Sequence, residues 1–271
     1  MYTNFYSLRE NPFNVTSDPN FLYMSKKHRE ALSFMSYGIE QRKGFLEITG
    51  EIGTGKTTIC KALLNGLSEK IKTAFIINPD LSELQLLESI ATDFGIELPK
   101  KSNKLTVFGL LNKFLIHQLY LRNNVVLIID EAQNLKLSLL EQIRLLSNLE
   151  TEKEKLIQII LVGQPQLRDK LNSPGLAQLR QRISIRYHIL PLERHEVKNY
   201  INHRLGVAGS DGKIHFAEEA IDGICKFSDG VPRLINMVCD RALLFGYVLE
   251  TRTITGEIIQ RSINEIKGAI L

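Results

Sequence analysis

The chain has 271 residues, 44% of them apolar and 24% charged, and 34 Lys plus Arg against 30 Asp plus Glu leave a net charge of +4; this suits one large or two modest globular domains and permits nucleic acid or anionic lipid as a partner without arguing for either. The longest apolar runs, 125–129 and 159–162, are far short of the ~20 residues of a membrane helix, and the N-terminus lacks the pattern of a secretory signal, so a cytoplasmic protein is expected. Cys60, Cys225 and Cys239 lie far apart and imply neither a disulfide framework nor a metal site.

The first twenty residues are rich in aromatics and turns (Phe5, Tyr6, Pro12, Phe13, Pro19). They read as an ordered arm, because aromatic surface is costly to leave in water. A helix follows over 25–41, then a short apolar strand over 44–49. The spacing of Ala62, Leu63 and Leu67 predicts a helix over 57–69. A strand over 73–77 ends at Asn78-Pro79, and a helix over 82–94 has Ser82 as its N-cap. Residues 95–104 form a polar loop with Glu97, Lys100, Lys101 and Lys104, followed by a helix over 106–122. The run 125–129 is fully apolar, as expected at the centre of a parallel sheet. A helix over 138–149, an apolar strand over 156–162 and an alternating, edge-like strand over 183–190 complete this part.

Strands alternating with helices of ten or more residues imply parallel βαβ units. Beyond Pro191 the pattern becomes helical throughout, over 193–205, 217–227, 232–249 and 255–266. The chain therefore divides into an N-terminal arm and helix (1–43) packing on the core, an α/β domain (44–191) with a five-stranded parallel sheet, and a small all-helical lid (192–271).

Four motifs carry chemistry. Gly50-Glu51-Ile52-Gly53-Thr54-Gly55-Lys56-Thr57 has the pattern G-x-x-x-x-G-K-[ST], with a strand before it and a helix after it. Its glycines let the backbone curl and point N–H groups at phosphates, and the helix adds its positive end. Gly50, Glu51, Gly53, Thr54, Gly55, Lys56, Thr57 and Thr58 are the expected nucleotide contacts. Lys56 meets the β and γ phosphates, and the Thr57 hydroxyl ligates magnesium. The second motif is the strand 125–129 ending in Asp130-Glu131, which puts both carboxylates at the edge where ligands bind in open α/β sheets. Asp130 is expected to hold magnesium through water, and Glu131 to act as general base on the attacking water. In the third, Gly230-Val231-Pro232-Arg233 opens a lid helix, from which Arg233 projects toward the γ-phosphate. In the fourth, Leu179-Arg180-Gln181-Arg182 precedes the last strand. Arg180 or Arg182, with Arg186 a distant third, is the candidate for a finger reaching a neighbouring subunit's nucleotide; a solvated basic face is the competing reading.

Gln164, just past the fourth strand, could orient the attacking water, or could simply form the turn in Gly163-Gln164-Pro165. Tyr23 and His28 could flank an adenine, with ordinary packing the alternative. The remaining histidines show no metal spacing. Together these residues resemble the AAA+ ATPases. Asn11-Pro12-Phe13, Asp18-Pro19-Asn20-Phe21-Leu22-Tyr23, Asp130-Glu131-Ala132-Gln133-Asn134-Leu135 and Gly163-Gln164-Pro165-Gln166-Leu167 look like the secretion ATPases of the general secretion pathway protein A (ExeA/GspA) type. The resemblance implies ATP and magnesium as cofactors, ATP bound between core and lid, a ring or helical homo-oligomer, and a membrane-protein partner of a secretion or pilus system that brings the protein to the inner membrane. Longer members carry a transmembrane helix and a peptidoglycan-binding domain after the ATPase. This sequence shows neither and is more similar to the short, MshM-like members associated with pilus biogenesis. The same core is also similar to transposition regulators of the TniB/TnsC type, which predicts assembly on DNA and DNA-stimulated hydrolysis.

Overall fold

In the computed structural model, which describes residues 2–77, 79–150 and 154–270, the apolar runs pair into one five-stranded parallel sheet. A four-residue helix, α1 (Tyr2–Phe5), opens the chain, and α2 (Lys26–Glu40) precedes the first strand. The α/β part then runs β1 (Phe45–Gly50), α3 (Lys56–Gly66), β2 (Ile71–Ile76), α4 (Glu83–Asp93), α5 (Lys104–Tyr120), β3 (Asn124–Ile129), α6 (Leu137–Leu146), β4 (Gln158–Gly163), α7 (Pro165–Leu171), α8 (Ala177–Arg182) and β5 (Ile183–Ile189). The helical part comprises α9 (Arg194–Val207), β6 (His215–Phe216), α10 (Glu218–Ser228), α11 (Pro232–Val248), β7 (Thr253–Ile254) and α12 (Gly256–Ile270).

The sheet order is β2-β3-β4-β1-β5. Every residue of β1 and β4 is buried, as is Val125–Ile129 in β3, and these strands form the middle of the sheet. β2 and β5 are the edges, and their alternating burial reflects it. Since all strands run parallel, the turns after β1, β3 and β4 leave from the same edge of the sheet. This ordering places Gly50, Asp130 and Gln164 at the C-terminal ends of three successive central strands.

Local signals account for several boundaries. Ser82 caps α4, its hydroxyl accepting from the Gln85 amide while the Gln85 side chain accepts from the Ser82 amide. The expected loop over 95–104 ends one residue early, because the Asn103 side chain accepts from the Thr106 amide and starts α5 at Lys104. α3 stops at Gly66, short of the expected residue 69. Asn78, read as the end of β2, lies outside the described residues. α7 and α8 were not expected at all: at seven and six residues they are too short to show a helical period.

The chain separates into two compact units. One contains His28–Glu51 and Ile59–Ile189; the other contains Met1–Lys27, Ile52–Thr58 and Leu190–Leu271. The N-terminal segment thus departs from expectation. α2 packs on the sheet, with the Asn124 side chain donating to the Ile39 carbonyl at 2.8 Å. The arm before it does not belong to that core. Tyr6, Leu8, Phe13 and Phe21 are buried in one cluster with residues of α9, α10, α11 and α12. Buried Arg204 fixes the arm, donating to the Pro12 and Asn14 carbonyls and sitting over the Phe21 ring.

Candidate functional site

The phosphate-loop motif leaves β1 at Gly50 and enters α3 at Lys56. Gly53 and Gly55 have φ of +81° and +90°, a backbone that L side chains rarely adopt and that turns successive N–H groups inward. Thr54 is fully buried and Lys56 is 6% exposed. A lysine held at the first residue of a helix, under the positive end of its dipole, suits an anionic ligand. Within the same unit, the Arg233 amide donates to the Gly53 carbonyl at 3.2 Å. Arg233 lies in the first turn of α11, whose amides have no intrahelical acceptor, so the phosphate loop caps this helix. A Cβ on Gly53 would fall 2.5 Å from the Arg233 Cβ; glycine is needed there for the approach as well as for its φ. The Arg233 residue itself is exposed.

The other set of candidates stands at the ends of β3 and β4. Asp130 is 1% exposed, and its carboxylate accepts from the Glu131 amide at 2.9 Å. Glu131 is left-handed, with φ 53°. For a non-glycine residue this conformation costs about 1–2 kcal/mol, a strain found at sites that aim a side chain. Two glutamines hold the Glu131 carboxylate: Gln133 donates from Nε2, and Gln164 donates from Nε2 at 3.2 Å. The Gln133 Oε1 in turn accepts from the Gln164 amide at 3.0 Å. Gly163 makes this possible, since a Cβ there would meet the Gln133 Oε1 at 2.7 Å. Lys170 donates to the Gln133 and Leu135 carbonyls and fastens α7 to the same turn.

Gln164 therefore does more than form a turn. Gln133 was quoted in the sequence only as part of a motif, without a role; its position follows from the left-handed turn at Glu131, which no residue-type signal announces. A second cluster was also missed. Glu47, 1% exposed in central β1, is paired with Arg186 at 3.2 Å and approached by Arg168 at 3.9 Å. Burial pushes its carboxyl up, and the Arg186 and Arg168 guanidinium groups pull it partly back. Arg168 also donates to the Thr49 hydroxyl, which is bonded to His188.

The arginine candidates are now distinguishable. Arg186 is drawn to Glu47 and donates to the Arg180 carbonyl. Arg182 donates to the Ser147 hydroxyl at 3.1 Å in a part-buried contact. Arg180 makes an exposed bond to the Asn172 carbonyl at 3.2 Å. The Tyr23 ring packs edge-on to Tyr200, with centroids 6.0 Å apart, and lies 5.7 Å from the His203 ring. His28, in the first turn of α2, is 3% exposed. Among the described residues no group of three His, Cys, Asp or Glu side chains could hold a metal ion by itself, and no helix is long and apolar enough to cross a membrane. A magnesium ion arriving with a nucleotide needs few protein ligands, one hydroxyl and one carboxylate, and Thr57 and Asp130 are of the right types.

Comparison with known proteins agrees with this chemistry. A family model described as an AAA domain matches residues 39–171. Over 268 residues the chain is 42% identical to general secretion pathway protein A of Aeromonas hydrophila, an alignment covering 99% of this chain and 49% of that protein. The chain thus spans about half the length of this curated relative. Among solved structures, Cdc6p of Pyrobaculum aerophilum superposes with a TM-score of 0.70 at 17% identity, covering 91% of this chain and 70% of that one. The ORC2 protein of Aeropyrum pernix does so with a TM-score of 0.65 at 16% identity, covering 88% and 66%. At such identities the likeness concerns the fold alone, a P-loop α/β fold. With its AAA domain and its likeness to that relative along nearly all of its own length, the chain belongs to the AAA-type proteins of the general secretion pathway protein A kind.

Proposed function

We propose that this chain binds ATP with magnesium and hydrolyses it, and that the cycle drives assembly or remodelling of a secretion or pilus-biogenesis machine. The observation that carries hydrolysis is the holding of Glu131. A carboxylate kept in a left-handed turn, with Gln133 and Gln164 donating to it, is aimed as a base rather than left as a surface charge. Lys56 would meet the β and γ phosphates, the loop amides would donate to their oxygens, and Thr57 and Asp130 would hold the magnesium, whose charge would offset that of the phosphates. Gln164 then positions the attacking water beside Glu131, and Arg233 reports the nucleotide state to α11 through its capped first turn. The setting in secretion rests on the name of the 42% identical relative.

Turnover is completed in this reading by a second copy, in a ring or helical homo-oligomer, through Arg180. Its exposed contact to a single carbonyl leaves it easier to redirect than Arg182. Glu131→Gln is expected to keep ATP affinity within about twofold and to lower turnover by on the order of 10²–10⁴, read by nucleotide titration and steady-state hydrolysis. Wild-type turnover in that variant would remove Glu131 as the base. Arg180→Ala alone should be slow, and mixing it with Lys56→Ala should restore part of the rate, because each subunit then supplies what the other lacks. Absence of rescue would count against a finger acting in trans. Hydrolysis indifferent to double-stranded DNA fits a secretion role; strong stimulation, steep in salt, would move the assignment to assembly on DNA.

A further inference from the structure

α5 buries Val107, Leu111, Leu115 and Gln118 along one side, and its opposite side is apolar as well. Leu105 is 82% exposed, Ile116 51% and Tyr120 85%. With 100° per residue these three and Gly109 fall within an arc of about 60°. Exposed Lys113 and His117 border it. A helix on a globular core ordinarily turns polar residues to solvent along such an arc, and a grouped apolar stripe with a basic border marks an interaction surface.

The segment that carries this stripe is one-sided in charge. Between Glu97 and Asp130 the sequence has no acidic residue, yet it has Lys100, Lys101, Lys104, Lys113 and Arg122. All five are exposed, and among the described residues only Lys104 is drawn off, by Glu83 of α4 at 2.6 Å. We propose that the outer face of α5 docks on an anionic membrane surface. Leu105, Ile116 and Tyr120 enter the boundary between headgroups and acyl chains, and Lys100, Lys101, Lys113 and Arg122 meet lipid phosphates. Two features favour this occupant. A second copy pairing through the same stripe would set one basic border against another with no carboxylate from this segment between them. A protein groove that accepts a helix needs that helix free over much of its circumference. α5 is sunk into the core on its other side and offers only a convex ridge, which a planar, deformable surface fits.

The test is co-sedimentation of the full chain with vesicles of phosphatidylcholine, with and without phosphatidylglycerol. The protein should pellet with the anionic vesicles, remain in solution with the neutral ones and be released as salt rises. Leu105→Ser with Tyr120→Ser should weaken partition on the order of tenfold or more, with its melting temperature and ATP titration unchanged. Lys113→Glu is a second variant that leaves the apolar stripe in place and should weaken binding to the anionic vesicles. Failure to pellet with anionic vesicles overturns the proposal, and so does unchanged partition of both variants. A chromatographic dimer abolished by the serine variant, without vesicle binding, would reassign the face to a second copy; an acidic protein bound in place of vesicles would reassign it to that partner.

Discussion

The sheet unit and the helical unit bury comparable cores by different means. In the sheet unit the apolar runs do nearly everything: β1, β4 and most of β3 are buried throughout, and α4, α5 and α6 cover one face of the sheet with residues that are mostly Leu, Ile and Val. In the helical unit the core is completed by a distant segment. The arm brings Tyr6, Phe13 and Phe21 into the cluster of α9, α10, α11 and α12 and is pinned there by polar groups. Arg204 donates to the Pro12 and Asn14 carbonyls, Asp240 accepts from Tyr2 and Asn11, and the Tyr6 hydroxyl donates to the Thr251 carbonyl at 3.0 Å. Apolar packing tolerates exchange of like for like. A buried guanidinium does not, because its loss strands every carbonyl it satisfied.

The largest structural effect is therefore expected at Arg204, 5% exposed. Arg204→Ala removes the donors to two arm carbonyls and to the Tyr200 hydroxyl at 3.0 Å. At about 1–3 kcal/mol for each stranded group, partly recovered where water enters, the cost should be about 4 kcal/mol. The arm should also become a protease substrate near residues 10–22, before the rest of the chain unfolds. A drop in melting temperature with the arm still protected would show that the aromatic residues alone hold it.

How much of this was readable follows the same divide. The phosphate loop, the Asp130-Glu131 pair and the central strands are local: residue type and spacing determine each of them. The arm is not local, since Arg204 and Pro12 are 192 positions apart and neither residue type signals a pairing. It was expected on the sheet because chain proximity to α2 is the only guide a single sequence offers. In the site, Gln164 could be suspected from its place after a strand, whereas the role of Gln133 required the left-handed turn at Glu131. Arg180 and Arg182 were equivalent as letters, with Arg186 a distant third. They separated only when Glu47, Ser147 and the Asn172 carbonyl supplied different partners.

A cavity in the sheet unit should cost somewhat less and behave differently. Leu127, fully buried in β3, loses its side-chain packing in Leu127→Ala, a change worth about 3 kcal/mol. No polar group is stranded, so chemical melts should shift as one cooperative transition and the arm should stay protected from protease at temperatures below it. Early arm cleavage in this variant would mean that a cavity in the sheet core also loosens the arm.

The smallest expected effect concerns the one carboxylate sunk in the apolar sheet. The folded pKa of Glu47 is raised, with burial outweighing Arg186 and Arg168. A carboxyl of this kind supports the fold most when protonated, below its value in the unfolded chain, and that support is lost as pH rises through the raised folded value. As pH rises the wild type takes on the cost of the charge, while Glu47→Gln does not and leaves two half-exposed arginines to water. The melting temperature of the Gln variant relative to wild type should therefore climb as pH increases from the ordinary carboxylate range and level off once Glu47 is fully ionised, for a gain of about 1 kcal/mol or less. A difference that instead falls with rising pH would mean that pairing with Arg186 and Arg168 outweighs the desolvation of Glu47. The sheet unit would then depend on a buried ionic contact much as the helical unit depends on Arg204.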